Sequence, residues 1–328
     1  MKAIVYTDYG PPDVLQLAEV AKPTPGDDEV LIGIRAASLN PMDWHFMRGT
    51  PYLVRIAAGL RRPRSTRLGV DMAGRVEAVG RKVTQFKPGD EVFCSCKGAF
   101  AEYVCSPERA LVLKPANVTF EQAAAVPVAA LTALQSLRDK GRIQRGQKVL
   151  INGAAGGVGT FAVQIAKAFG ADVTGVCSTR NVDMLRSIGA HHLIDYTQED
   201  FTKTGTHYDL ILDTVGNHSF SDCRRALMNK GIFLMVGGSD KGRWLGPLKD
   251  LFKATVASWF GSQKVRPFFA RLSKADLIVI RDLLETGKVV PVIDRRYPLS
   301  DVPDAIRYLE EGHARGKVVI NMKQQGET

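Results

Sequence analysis

The chain has 328 residues, 45% hydrophobic and 24% charged, which excludes a disordered or fibrous chain and leaves room for two domains with a core each. A formal net charge of +10 favours an anionic partner, whether phosphorylated cofactor, nucleic acid or acidic lipid, without choosing among them. No run approaches the roughly 18 apolar residues of a membrane span, so any membrane contact is expected to be peripheral.

The opening MKAIVYTDYG reads directly as an alternating strand, without the basic and then apolar regions of a signal peptide, and so predicts a cytoplasmic protein. From Met1 to about Ala123 short β-like runs (KAIVY, EVLIGIRAAS, GRVEAVG, DEVFCS, AEYVC, ALVLKP) alternate with Pro and Gly, as in an irregular, mostly antiparallel β domain. Near Phe120 the character changes to an Ala-rich helical segment, interrupted at Pro127 and closed by Gly141. Strands and helices then alternate: KVLING, GVGTFAVQIAKAFG, DVTGVCS, NVDMLRSIG, HLIDY, YDLILDTVG, SFSDCRRALMNKG, IFLMVGG. Such alternation signifies βαβ units and a parallel sheet with helices on both faces. A basic stretch follows, then a helix near Ala275–Thr286 and the β-like VVPVIDRRYPL and KVVINM, which resemble the first domain in style. The expected division is 1–123 with 291–328 in one domain and 124–290 in the other.

The strongest local signal is Val149 to Gly159, VLINGAAGGVG, followed by an amphipathic helix. An apolar strand must turn tightly into a helix there. Glycines let the backbone approach a pyrophosphate, whose charge is met by N–H groups at the helix N-terminus. Cofactor choice falls at the end of the next strand, where an acid would hold the 2′-hydroxyl of NAD and a cation the 2′-phosphate of NADP. Cys177-Ser178-Thr179-Arg180-Asn181 contains no acid, offers two hydroxyls and a planar guanidinium, and so favours NADPH; Ser178 or Thr179 also suits a helix cap.

These residues and several others resemble the medium-chain dehydrogenase/reductases, in their zinc-independent quinone oxidoreductase and enone (alkenal) reductase branch. The resemblance runs through Asn40-Pro41-Met42-Asp43, Leu68 to Gly74, Val76 to Gly80, Lys87-Pro88-Gly89-Asp90, Leu131-Thr132-Ala133, Ala154 to Gly159, Asp213 to Gly216, and Gly316 to Asn321. It implies an α/β protein with a GroES-like irregular β-rich domain and a Rossmann doubly wound parallel-sheet domain, forming a homodimer. The resemblance implies cofactor contacts from Thr132, Gly156, Gly157, Val158, Ser178, Arg180, Tyr196, Val215, Gly237, Gly238 and Asn321, and from Phe268 and Phe269, which are otherwise ordinary core aromatics. Zinc-dependent relatives carry a cysteine where this chain has Asn40, Gly-His-Glu where it has Gly69-Val70-Asp71, and a four-cysteine lobe after Asp90. No metal site is therefore expected. Cys94, Cys96, Cys105, Cys177 and Cys223 are expected to be free thiols, and Cys94-x-Cys96 is too short for a zinc knuckle.

Without a Lewis acid, reduction of a simple carbonyl loses several kcal/mol of stabilisation. A quinone or an α,β-unsaturated carbonyl needs less help, because charge spreads onto an oxygen that hydrogen-bond donors can meet. Asn40 and Tyr52 are the candidate donors, although Asn40 also suits a turn stabiliser and Tyr52 a surface residue. Asp43 reads as a helix cap.

Two segments invite a second partner. The loop Tyr52–Arg67, YLVRIAAGLRRPRSTR, suits an anionic or amphipathic substrate, an anionic membrane, or a solvated lid. Gly242–Phe269 alternates aromatics with lysines in the manner of a basic amphipathic helix. The competing function is a non-catalytic NADPH-binding protein that senses redox state or binds RNA. It rests on charge and family precedent, and nucleic acid is not favoured because no RNA-binding aromatic signature is present.

Overall fold

The computed structural model describes residues 1–236 and 263–322. Seven strands come first: β1 (Lys2–Val5), β2 (Gln16–Glu19), β3 (Glu29–Ser38), β4 (Asp71–Val79), β5 (Glu91–Ser95), β6 (Tyr103–Pro107) and β7 (Val112–Leu113). Six follow: β8 (Lys148–Asn152), β9 (Asp172–Cys177), β10 (His192–Asp195), β11 (Tyr208–Asp213), β12 (Leu227–Met235) and β13 (Lys264–Pro267). β14 (Ile293–Pro298) and β15 (Lys317–Asn321) complete the set.

The chain divides into two compact units. The first comprises Met1–Ala129, Leu272–Gly287 and Pro291–Thr328; the second comprises Ala130–Arg271 and Lys288–Val290.

In the first unit β1 and β2 form a hairpin, and a seven-stranded sheet runs β14-β15-β3-β4-β5-β7, with β6 also paired to β3. Its centre is β3, whose apolar residues alternate toward a core that includes Ile4, Ile32, Met47, Met72, Phe100 and Ile320. The late strand β15 lies antiparallel to β3, with Val319 opposite Ser38 and Asn321 opposite Ala36, so the end of the chain returns to the first unit. The helix Lys274–Glu285 belongs there too, although the sequence reading placed 124–290 in the other domain. Its amphipathic pattern shows that one face is buried but not against what. Asn117 Nδ2 donates to Leu284 O at 2.9 Å, and Lys274 Nζ to Gln85 Oε1 at 2.8 Å.

In the second unit the six-stranded sheet runs β10-β9-β8-β11-β12-β13, and every neighbouring pair is parallel. This is the doubly wound dinucleotide-binding order, which reverses direction between β8 and β11. The chain enters this unit through α4 (Pro127–Gln135), which follows the one-turn α3 (Phe120–Ala124). After β8 comes α5 (Gly157–Ala168), then α6 (Val182–Ser187) and α7 (Phe220–Arg225). The helix expected over SFSDCRRALMNKG is shorter than the pattern suggested. It ends at Arg225, and β12 begins at Leu227, opposite Tyr208. Lys230 at φ 69 marks the irregularity that lets this strand start early.

Candidate active site

At the carboxyl ends of β8 and β11, where the sheet reverses, a doubly wound fold opens its binding crevice. Gly153 leaves β8 at φ +79, and a Cβ there would lie 2.4 Å from Thr214 Oγ1 and 2.6 Å from Val215 Cγ2. Only glycine fits so close to the neighbouring loop. Gly159 serves packing instead, since its Cβ would meet Gly153 O at 2.1 Å. Gly156 caps α5 from outside, and a Cβ there would meet only Gly153 O, at 3.4 Å. Among the described residues the face beyond Gly156 is therefore open, and the first N–H groups of α5, from Gly157 and Val158, have no intrahelical acceptor. Open backbone donors at a positive helix end are what a pyrophosphate requires.

Polar side chains hold the two strand ends together. Asn152 Nδ2 donates to Asp213 Oδ1 at 2.9 Å, and the same oxygen accepts from Val215 N at 3.0 Å and Gly216 N at 2.9 Å. The other oxygen, Oδ2, is buried without a hydrogen-bond partner. Val215 is thus carried on a fixed loop and stays exposed.

The adenosine end lies past β9. Ser178 is half-buried and accepts from Asn181 Nδ2 at 3.2 Å, whereas Arg180 is exposed. Tyr196 follows β10 with its ring exposed and its N–H held by Cys177 O at 3.0 Å, which brings it level with the end of β9. The sequence reading overlooked Asp195, which stands opposite Cys177 in the ladder. Thr179 Oγ1 donates to its Oδ2 at 2.5 Å, and Thr197 N and Oγ1 donate to its Oδ1 at 3.0 and 2.7 Å. Those hydroxyls hold its carboxyl below the usual carboxylate range, so an anion sits beside Ser178 and Arg180.

Of the remaining expected cofactor residues, Thr132 is buried in α4. Phe268 is buried just past β13, while Phe269 stands 86% exposed. Gly237 and Gly238 lie outside the described residues, as does most of Gly242–Phe269. Asn321 closes β15 in the first unit, and its Nδ2 donates to Glu121 Oε1 at 2.7 Å.

The first unit also contains a buried polar cluster. Asn40 precedes α1 (Pro41–Arg48), and its backbone N–H donates to Asp43 Oδ2 at 2.8 Å, which fixes the helix start. Its carboxamide is held at both ends: Nδ2 donates to Asp71 Oδ2 at 2.9 Å, and Oδ1 accepts from Lys317 Nζ at 2.7 Å. Lys317 also donates to Leu39 O at 2.8 Å and stands 3.9 Å from Asp71 Oδ2. Asp71 accepts Val128 N at 3.1 Å as well. Burial raises Asp43 to about 7 and Asp71 to about 6, and the same loss of water lowers Lys317. Asp43 Oδ1 has no partner.

The carboxamide of Asn40, expected as a donor to the substrate, is thus buried with one N–H given to Asp71 and its oxygen taken by Lys317. Tyr52 is half-buried at the start of α2 (Leu53–Ala58), with the Arg55 guanidinium 4.7 Å from its ring centre. Sequence reasoning missed Lys317 as a charge partner. The signal available was a lysine opening the apolar strand KVVIN, where a cation is hard to solvate.

All five cysteines are free thiols; Cys94, Cys177 and Cys223 are buried, and burial pushes Cys177 up to about 11. Among the described residues no group of three or more His, Cys, Asp or Glu is arranged to hold a metal ion.

Residues 26–116 match the alcohol dehydrogenase GroES-like domain, and residues 188–320 match the family described as zinc-binding dehydrogenase. A 2-methylene-furan-3-one reductase of Solanum lycopersicum is 37% identical over 98% of this chain and 79% of its own length. The chain belongs to the medium-chain dehydrogenase/reductases, in their quinone oxidoreductase and enone reductase branch. A chloroplastic NADPH-dependent alkenal/one oxidoreductase of Arabidopsis thaliana is 34% identical, covering 98% of this chain and 79% of its own. A mitochondrial NAD(P)H oxidoreductase of Bos taurus is also 34% identical, covering 98% and 89%.

Solved structures of medium-chain dehydrogenase/reductases agree. The quinone oxidoreductase of Coxiella burnetii has a TM-score of 0.86 at 30% identity, covering 98% of this chain and 99% of its own. The Escherichia coli quinone oxidoreductase complexed with NADPH has a TM-score of 0.82 at 26% identity, covering 98% and 100%. The GroES-like and Rossmann-type architecture expected from the sequence is therefore present. The cytoplasmic location is corrected by these comparisons, since relatives matched over nearly the whole chain are chloroplastic and mitochondrial proteins. The opening residues form β1 and carry no information on compartment.

Proposed function

We propose that this medium-chain dehydrogenase/reductase is an NADPH-dependent enzyme that reduces a quinone, or the C=C bond of an α,β-unsaturated ketone or aldehyde, without a metal. One observation carries the reading. A glycine turn with open backbone donors sits at the reversal point of the parallel sheet, with Ser178 and Arg180 at the end of the adjacent strand. The activities for which the tomato and Arabidopsis relatives are named, and the NADPH bound by the E. coli enzyme, support it.

When bound, NADPH supplies the hydride. Beside the Gly156 turn the N–H groups of Gly157 and Val158 would meet the pyrophosphate, and Ser178, Arg180 and Tyr196 would meet the 2′-phosphate. Thr132, Val215 and Asn321 belong to the same reading, as do Gly237 and Gly238 by sequence. Tyr52 is the hydrogen-bond donor toward the acceptor's oxygen, where charge develops.

Independence from zinc is supported by the donor set. Where zinc-dependent relatives place ligands, Asn40 and Asp71 are already satisfied by one another and by the Lys317 ammonium. The exposed Phe269 and Leu272, which follow the sheet's last described strand, support a homodimer. No observation favours the non-catalytic reading.

The deciding experiment follows NADPH oxidation with a panel of quinones, alkenals and cyclic enones, with NADH as control. Turnover of conjugated acceptors with NADPH is expected. Turnover confined to simple alcohols or ketones would overturn the proposal.

A further inference from the structure

From Trp44 to Val70 the chain contains no acid and six arginines. The structure gives these arginines different roles. Arg48 forms a forked pair with Glu310, and Arg55 donates to Gly49 O at 3.0 Å while lying 4.6 Å from the Tyr9 ring centre. Those two are internal fasteners. Arg62 meets Asp8 at 3.2 Å, but both side chains are exposed and the pair is worth little. Arg61, Arg64 and Arg67 are exposed, with no ion-pair partner among the described residues.

Exposed aliphatic side chains immediately precede these cations in the sequence. Leu53 is 44% exposed, Ile56 64% and Leu60 71%, on α2 and the turn that follows it. Single exposed apolar residues are ordinary on a protein surface. Three within eight positions, followed within seven by three arginines without an ion-pair partner among the described residues, make an amphipathic segment.

The segment is held in place. Gly59 N donates to Arg55 O at 2.8 Å, Arg64 N to Ala58 O at 2.7 Å, and Tyr9 Oη to Gly59 O at 2.6 Å. Docking therefore needs little ordering of the backbone.

We propose that this segment docks on an anionic lipid surface. Leu53, Ile56 and Leu60 enter the boundary between headgroups and acyl chains, and Arg61, Arg64 and Arg67 lie at the level of the lipid phosphates. Charge complementarity selects this occupant. In a symmetric contact a second copy would set these arginines against themselves, and a soluble anion would leave the aliphatic groups in water. No described helix is long and apolar enough to cross a membrane, so the contact is peripheral. The inference does not depend on the proposed reaction.

The test uses the full-length protein and extruded vesicles of phosphatidylcholine, alone or with about a third phosphatidylglycerol. Co-sedimentation is expected with the anionic vesicles at low salt, little with the neutral ones, and a loss as salt rises. An arginine near such a surface contributes about fivefold, so Arg61→Gln with Arg64→Gln should lower the partition coefficient on the order of 25-fold and flatten its salt dependence. Ile56→Ser with Leu60→Ser should lower it about tenfold and leave the salt dependence unchanged. Both variants should keep the wild-type melting temperature and the turnover of a soluble quinone. The proposal is overturned by equal pelleting on both vesicle types, by no pelleting, or by variants that bind as the wild type does. It is equally overturned if the serine variant converts a dimer to a monomer in vesicle-free sedimentation velocity, which would assign the segment to a second copy.

Discussion

Lys317 Nζ donates to Asn40 Oδ1 across 277 positions of sequence, at 2.7 Å and out of contact with water. The same ammonium faces Asp71, so the closing strand supplies the cation that β4 and the start of α1 need. Removing one partner of a buried pair leaves an uncompensated charge and costs about 3–5 kcal/mol. Lys317→Met should lower the urea midpoint accordingly, and adding Asp71→Asn should restore part of the loss. An unchanged midpoint in the single variant contradicts the pairing.

The carboxyls of the cluster give a pH signature. Asp43 is raised to about 7 and Asp71 to about 6, so the folded state holds these protons more tightly than the unfolded chain does. Their contribution is therefore complete below the ordinary carboxylate range and is lost as pH rises through about 6 and then about 7. Lys317, shifted down, acts in the opposite sense, toward greater stability at alkaline pH. Asp43→Asn keeps an acceptor for Asn40 N and carries no charge. Its urea midpoint should fall less than that of the wild type between pH 4.5 and 7.5; parallel curves would show that Asp43 is not the titrating group.

Two glycines of the turn should respond differently to one methyl group. At Gly159 the new Cβ would meet Gly153 O at 2.1 Å, so Gly159→Ala must displace backbone and should lose both stability and nucleotide binding. At Gly156 the nearest atom is 3.4 Å away, so Gly156→Ala should keep its melting temperature while nucleotide affinity falls. Melting curves with a fluorescence titration separate the two cases; equal effects would mean that the open face beyond Gly156 is not the pyrophosphate site.

Much of the second unit is legible in the sequence, because Gly and polar residues punctuate each strand and helix from Lys148 to Asp213. Past Arg225 the pattern misleads, since ALMNKG suits a helix while pairing of Leu227 with Tyr208 claims it for the sheet. The helix Lys274–Glu285 is visible as a helix, but its attachment to Asn117 is not, because periodicity reports a buried face without naming what covers it. The buried cluster was illegible for a related reason. Asn40, Asp71 and Lys317 each look ordinary alone, and only the β3–β4 and β3–β15 registers bring them together.

Tyr52 is the group we propose as the donor to the acceptor's oxygen. Losing a donor at a developing oxyanion costs on the order of tenfold to a hundredfold when charge is partly delocalised. Tyr52→Phe should therefore lower kcat for a quinone in that range and leave NADPH affinity unchanged. A kcat equal to the wild-type value would remove Tyr52 from the mechanism.

The central claim is that the glycine turn and Arg180 together hold NADPH. It is tested most directly by titrating the protein with NADPH and NADH and following nicotinamide fluorescence, for the wild type and for Arg180→Glu. NADPH should bind at least about tenfold more tightly than NADH, and Arg180→Glu should abolish this preference by weakening NADPH alone. Equal losses for both nucleotides, or no binding of either by the wild-type protein, would contradict it.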